Sequence, residues 1–438
     1  MRALRHRHHT RPLLRRALSR SNASAAAPVP SQVVSLARLA HRGRLQLRLS
    51  DRAHTSVEVV PVLAAAECEL RAFGTNTFAV AFDDVTDGDD ADADALVATV
   101  RVTRDAAVDE QEEPTRLQLF LPALVNLDVA LAVGDVEIRD KLEGDVKVVV
   151  GDGNIRVHKL RGDAVSLKTS RGALAVAALV EGERVALAAS SIACKRLMAA
   201  SAEIKIGKSG PGASGVRDSE FGAIYSPACV IVHALPGGAV QVGNVHGYLR
   251  VAGDEMRRVS VHSVNGALDV EDSGRSCAAV VHFDALALDA KSSVLVGGDV
   301  RVSVEPGAAL EVELHGREVA TGGCGFADGA LLDQLDVDYA IFTGELQAAA
   351  SAAAAASSSS SSGKINASSA KSAALRTSFF MGDEREGPGG GGSGGGRQPL
   401  AHPAQLPQLL VHATSGRVTL EQLDWMAKLK RQHLTPQE

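Results

Sequence analysis

By type and spacing, the residues best suited to chemistry are Asp269, Glu271 and Asp272, since paired carboxylates divide acid and base roles when their surroundings differ. They flank Val270 and run into Ser273 and Gly274, the pattern of a solvated turn. Gly207-Lys208-Ser209 ends like a phosphate-binding loop, but that motif's first glycine falls on Ala202, and Gly210, Pro211 and Gly212 stand where its helix should begin. Gly151-Asp152-Gly153 lacks the last glycine of a dinucleotide fingerprint and the tandem pattern of calcium-binding β-rolls. Gly391 to Gly395 matches GxSxG within a glycine tract, with no strand before it and no helix after. The acidic run from Asp83 to Asp94 fails as a calcium loop because Val85 stands where an oxygen ligand is needed.

Cys68, Cys194, Cys229, Cys277 and Cys324 are odd in number and widely spaced, which excludes a zinc ribbon or a disulfide scaffold. Cys194 precedes Lys195 and Arg196 but alternates with Ile192, so it reads as a buried, inert thiol. His158, His233, His246, His262, His282 and His315 are scattered, and His6, His8 and His9 sit in a basic leader. No catalytic residue, cofactor or metal site is expected.

The elements that would position any site show as a rhythm. Gly134, Gly144, Gly153, Gly162, Gly172 and Gly182 recur every nine or ten residues, each followed by an apolar-variable-apolar triplet such as Val136/Ile138, Val146/Val148 and Ile155/Val157. The rhythm returns in Val230/Val232, Val240/Val242, Leu249/Val251, Val259/Val261 and Leu268/Val270, with Gly247 and Gly266 as further turn glycines. Strands this short bury nothing alone and must stack. A nine-plus-ten alternation predicts an all-β fold, a parallel β-solenoid with two strands per coil of about 19–20 residues. At that spacing Glu137 faces Arg156 and Arg250 faces Asp269, opposite charges on stacked strands. A three-strand coil of about 29 residues, or an antiparallel meander, is the alternative.

The flanks read differently. Residues 1–40 form a basic targeting segment: the first 50 residues hold eleven Arg and no acid, and arginine interrupts every apolar run, which fits a mitochondrial transit peptide better than a secretory signal. Residues 41–116 read as a β-rich N-terminal cap with strands near Leu45–Leu49, Val57–Val62, Phe78–Phe82 and Leu96–Val102, and 117–346 as the solenoid. Residues 347–397 are an Ala/Ser/Gly-rich disordered linker, and 398–438 a segment whose Thr419/Gln422 capping box predicts a short amphipathic C-terminal helix from Leu420 to Gln432. Trp425, the only tryptophan, lies at its flank and is a possible contact for the body or a partner.

Beyond Ser50 the chain carries 52 acids against 35 Lys and Arg, a body that repels nucleic acid and anionic membranes. Aromatics make up 3% of the residues, too few for base-stacking platforms. No run of eighteen apolar residues occurs, so no membrane insertion is expected.

Leu117 to Ile138, LQLFLPALVNLDVALAVGDVEI, resembles the opening of an adhesin-like β-solenoid domain family of unknown function, in which an extended strand, a Pro and an Asn-Leu-Asp-Val strand lead into a Gly-Asp-Val turn. Leu167 to Val176, LKTSRGALAV, and Val242 to Val251, VGNVHGYLRV, are similar to its internal units. The order of leader, β-rich start, repeats and Trp-bearing tail resembles an uncharacterised eukaryotic family carrying this domain. The resemblance spans about residues 43 to 320 and implies the fold; it brings no catalytic residues. Ile192 to Pro227 departs from the pattern. The expected role is a non-enzymatic scaffold presenting a rigid surface to a protein partner in mitochondria, with a cytoplasmic or cell-surface location as the alternative. A carbohydrate-binding or carbohydrate-active β-helix is the second reading, with only Tyr225, Tyr248 and Phe221 to build a sugar platform.

Overall fold

A computed structural model describes residues 30–36, 43–49, 54–62, 67–74, 77–84, 96–103, 115–207, 218–288, 290–347, 405–424 and 427. They form 25 strands joined in one hydrogen-bonded sheet, an all-β structure.

The central pairing follows the period. In β8 (Asn126–Glu143), Leu127 lies opposite Val146 of β9 (Val146–Asp152), and Val136 opposite Ile155 of β10 (Ile155–Arg161), both in parallel. Each stretch therefore pairs with the one about 19 residues further along, in two ladders, and the long strand β8 contributes to both. Both ladders run on through β11 (Ala164–Arg171), β12 (Ala173–Ala189), β13 (Ser191–Ile206), β14 (Ser219–His233), β15 (Ala239–Gly253), β16 (Arg258–Asp272), β17 (Ala278–Leu286), β18 (Lys291–Val296) and β19 (Val300–Val304). The Ile192 to Pro227 stretch keeps this order: Cys194 lies opposite Phe221, and the surplus residues fall between β13 and β14. Glu137 and Arg156 are register partners, as are Arg250 and Asp269. The ion pairs nonetheless form elsewhere: Arg250 bonds diagonally to Glu271 at 3.1 Å, and Glu137 lies 3.7 Å from Arg139 of its own strand.

Alternation sends one side chain in two inward, where identical positions stack in columns. Ile138, Val157, Val176, Cys194, Phe221, Val242, Val261, Val281 and Val302 form one such column, all buried. β-Branched residues fit this pleated interior, and each fully buried side chain contributes roughly 1.5–3 kcal/mol. Corners are tied by side-chain amides and carboxylates. Asp135 Oδ1 accepts the Asn154 N–H at 2.7 Å, and 19 residues on, Asn154 Oδ1 accepts the Ala173 N–H at 3.0 Å.

Both ends interleave. β2 (Arg44–Leu49) and β3 (Thr55–Val62) lie between β8 and the pair β6 (Leu96–Thr103) and β7 (Thr115–Pro122), so Arg44 faces both Asn126 and Val97. β5 (Thr77–Asp84) runs antiparallel on β6, and β4 (Glu69–Phe73) lies between β7 and β1 (Gln32–Ser35), antiparallel to both. At the other end β24 (Gln408–Ala413) and β25 (Arg417–Gln422) lie between β18/β19 and β20 (Leu310–Gly316)/β21 (Glu318–Gly322). β23 (Tyr339–Leu346) pairs antiparallel with β20, and β22 (Leu331–Asp336) with β23.

These ends correct several expectations. The predicted helix starts too early, because Leu420 belongs to β25 and is buried with Val418. Ladder bonds on both sides of β25 outweigh the capping box that Thr419 and Gln422 suggest. Asp424 Oδ1 accepts the N–H of Ala427 at 2.6 Å; Trp425, Met426 and 428–438 lie outside the described residues. Gln32–Ser35 is a strand within the segment read as a leader, and β5 runs past the expected Phe82 to include Asp83 and Asp84, the first two acids of the acidic run. Residues 1–29 and 348–404, with most of the leader and the linker, lie outside the described residues.

Candidate functional site

The turn glycines lie at the corners. Gly134, Gly144, Gly153, Gly247 and Gly266 have positive φ; Gly162, Gly172 and Gly182 do not. Both kinds answer to close stacking: a Cβ on Gly153 would lie 1.8 Å from the Gly134 carbonyl oxygen, and one on Gly172 1.8 Å from that of Gly153. They build the frame and bear no reactive group.

The three acids of the Asp269 cluster are drawn apart. Asp269 accepts the Tyr248 hydroxyl at 2.7 Å and the Ser293 hydroxyl at 2.6 Å, and Glu271 pairs with Arg250. Burial and this bond push the Tyr248 hydroxyl up to about 12. Asp272 is buried and caps the Met256 and Gly274 N–H groups at 2.9 Å each. The carboxylates thus hold structure in three separate directions. Phe221 is in the core, whereas Tyr225 is 37% exposed and stacks on His246 of the next coil, ring centroids 4.6 Å apart.

Cys68, Cys194, Cys229 and Cys277 are buried and Cys324 is partly so, all as free thiols. Burial pushes Cys194, Cys229 and Cys277 up to about 12. Thiolate chemistry is therefore suppressed at neutral pH.

Two features escaped the sequence reading. On β22 all six residues are exposed, and with Val337 beyond it Leu331, Leu332 and Leu335 are 57–88% exposed. The second is a polar cluster on adjacent coils. His282 of β17 faces Ser303 of β19 in register, with Nδ1 2.8 Å from Ser303 Oγ and Nε2 2.9 Å from Asp284 Oδ1. Glu305 lies one coil above Asp284, and Ser263 Oγ donates to Asp284 Oδ2. A signal existed in the sequence: His282 and Ser303 are 21 residues apart, as are Asp284 and Glu305, one coil in this part of the stack.

A hollow of about 730 Å³ lies among Asp299, Arg317, Glu318, Leu332, Asp338 and Arg417, where Arg317 pairs with Asp338 and Arg417 with Glu318. Among the described residues no helix is long and apolar enough to cross a membrane. No protein-family model and no curated protein matches the chain. A solved structure of a candidate adhesin from Bacteroides fragilis is similar over 55% of this chain and 95% of its own, at 13% identity and a TM-score of 0.24.

Proposed function

We propose that the chain is a non-enzymatic, two-sided β-solenoid of adhesin-like type that holds a rigid surface toward a protein partner inside mitochondria. The observation carrying this reading is β22. Among the described residues it is hydrogen-bonded along one edge only, to β23, and it exposes Leu331, Leu332 and Leu335 next to Val337. A strand with an open edge and exposed leucines is the form that strand-addition and apolar docking both use. The ladders beneath make it stiff, since β23 is anchored on β20 and β20 on β24. The acid-free, Arg-rich first 50 residues supply the argument for the compartment.

Proximity labelling with the full chain in cells tests the reading. A Leu331→Lys, Leu335→Lys double variant is expected to lose a defined subset of labelled proteins while keeping the wild-type melting curve. A Tyr225→Ser variant, on a different surface, is expected to keep that subset. An unchanged labelling profile in the double variant would overturn the role given to β22.

A further inference from the structure

We propose that His282, Asp284 and Glu305 bind one divalent transition-metal cation, of the Zn²⁺ class, as a clamp between two adjacent coils. The cluster brings one ligand atom from each residue, all within 4.8 Å of one another. His282 is 5% exposed, and Asp284 and Glu305 are partly exposed.

The proton inventory points to a cation. His282 Nδ1 and Ser303 Oγ lie 2.8 Å apart, and the Val281 carbonyl 3.5 Å from that hydroxyl can take its proton, an arrangement that suits donation from Nδ1–H to Oγ. With its proton on Nδ1, the imidazole turns the Nε2 lone pair toward Asp284 Oδ1 at 2.9 Å. Two acceptors at that distance repel unless a cation lies between them. One proton on Nε2 would satisfy this single contact, but it leaves the Glu305 carboxylate, stacked one coil above Asp284, as an uncompensated neighbouring charge. A divalent ion answers all three acceptors together.

The surroundings are those of a metal site's outer shell. A ligating imidazole donates its other N–H to a fixed acceptor, here Ser303, and a ligating carboxylate is held by a neighbouring donor, here Ser263. One imidazole nitrogen and two carboxylates suit Zn²⁺ with bonds of about 2.0–2.2 Å, and the imidazole disfavours Mg²⁺ or Ca²⁺. Rotation of the two partly exposed carboxylates brings the donors to that radius and leaves a fourth position for water.

The test uses the full chain with His6, His8 and His9 all changed to Ala, stripped with chelator and titrated with Zn²⁺ by calorimetry and with Co²⁺ by visible absorption. One equivalent is expected to bind, with the strong visible bands of four-coordinate Co²⁺. Glu305→Gln and Asp284→Asn are each expected to weaken binding by about 10- to 100-fold and to abolish those bands, while metal-free melting curves match the parent. Zn²⁺ should raise the parent's melting temperature and leave those variants' unchanged. Absence of one-equivalent binding in the parent, or an affinity equal to the parent's in both carboxylate variants, overturns the proposal and assigns the contact to an imidazolium–carboxylate pair.

Discussion

Replacing Gly153 with alanine probes the stacking directly. Gly153 has φ of +141°, and a Cβ there would lie 1.8 Å from the Gly134 carbonyl oxygen and 2.6 Å from its carbon. A side chain in a left-handed conformation costs roughly 1–2 kcal/mol. Relieving the contact requires the coils to part by more than an ångström at a rung about 4.8 Å wide. That strains the Asn154-to-Asp135 corner bonds, at 2.7 and 3.0 Å, and the Val136 N–H bond to the Asn154 carbonyl at 2.9 Å, each about 1 kcal/mol. The expected loss is about 3–5 kcal/mol. Gly307→Ala is the control, because no heavy atom lies within 4 Å of its Cβ position and its φ is ordinary; it should change stability by less than ~1 kcal/mol. Urea denaturation gives the totals, and hydrogen exchange across β8 to β12 shows whether the loss is centred on the coils that touch Gly153. Equal losses in the two variants would refute the close-stacking argument.

Val148 is fully buried between Val129 and Leu167, so Val148→Asp should cost several kcal/mol by urea denaturation, whereas exposed Lys147→Asp should cost under ~1 kcal/mol. His233 is buried, and burial holds its imidazole below the usual range. The unfolded chain then takes up this proton first, so stability should fall as the pH drops below about 6.5, and a His233→Leu variant should show a shallower decline in melting temperature between about pH 7 and 5. Cutting the chain at a protease site placed within 348–404 should leave 405–438 bound in gel filtration, since β24 and β25 are each paired on both sides; prompt release would show that the ladders hold the insert weakly. A reporter fused to residues 1–50 should enter mitochondria, and an Arg15→Glu, Arg16→Glu variant should stay outside; diffuse or nuclear signal from the intact fusion would remove the basis for that compartment.

Strand positions and register were legible because they follow local rules. Period-two triplets mark the strands, and glycines nine and ten residues apart set a 19-residue rung that puts Ile155 beside Val136. The ends were not legible in this way. Asn126 pairs with Arg44 and Gln408 with Lys291, and such separations leave no periodic trace. In β25, Val418 and Leu420 alternate as strand residues do, yet Thr419 and Gln422 also spell a helix cap, and only the vacancy between β19 and β21 decides between them. The His282 cluster was missed for a related reason: its members look scattered until the local coil length of 21 residues is applied.

Interleaving also accounts for how a parallel ladder stops. Every rung of such a ladder presents unpaired N–H and C=O groups to the next, so an open terminal rung would recruit another chain. On the ladder of β8, β9 and β11, β5 and the β22–β23 hairpin reverse direction over the terminal rungs, and β4 does so at the N-terminal end of the other. Reversal alone would leave each end attached through a single rung. Placing β2/β3 and β24/β25 one rung inside the ends binds the terminal strands β6/β7 and β20/β21 to segments remote in sequence, so neither pair can peel away without breaking pairings on both ladders. Among the described residues β22 is paired along one edge only, and its exposed Leu331, Leu332 and Leu335 are the reason the proposed partner is assigned to that edge.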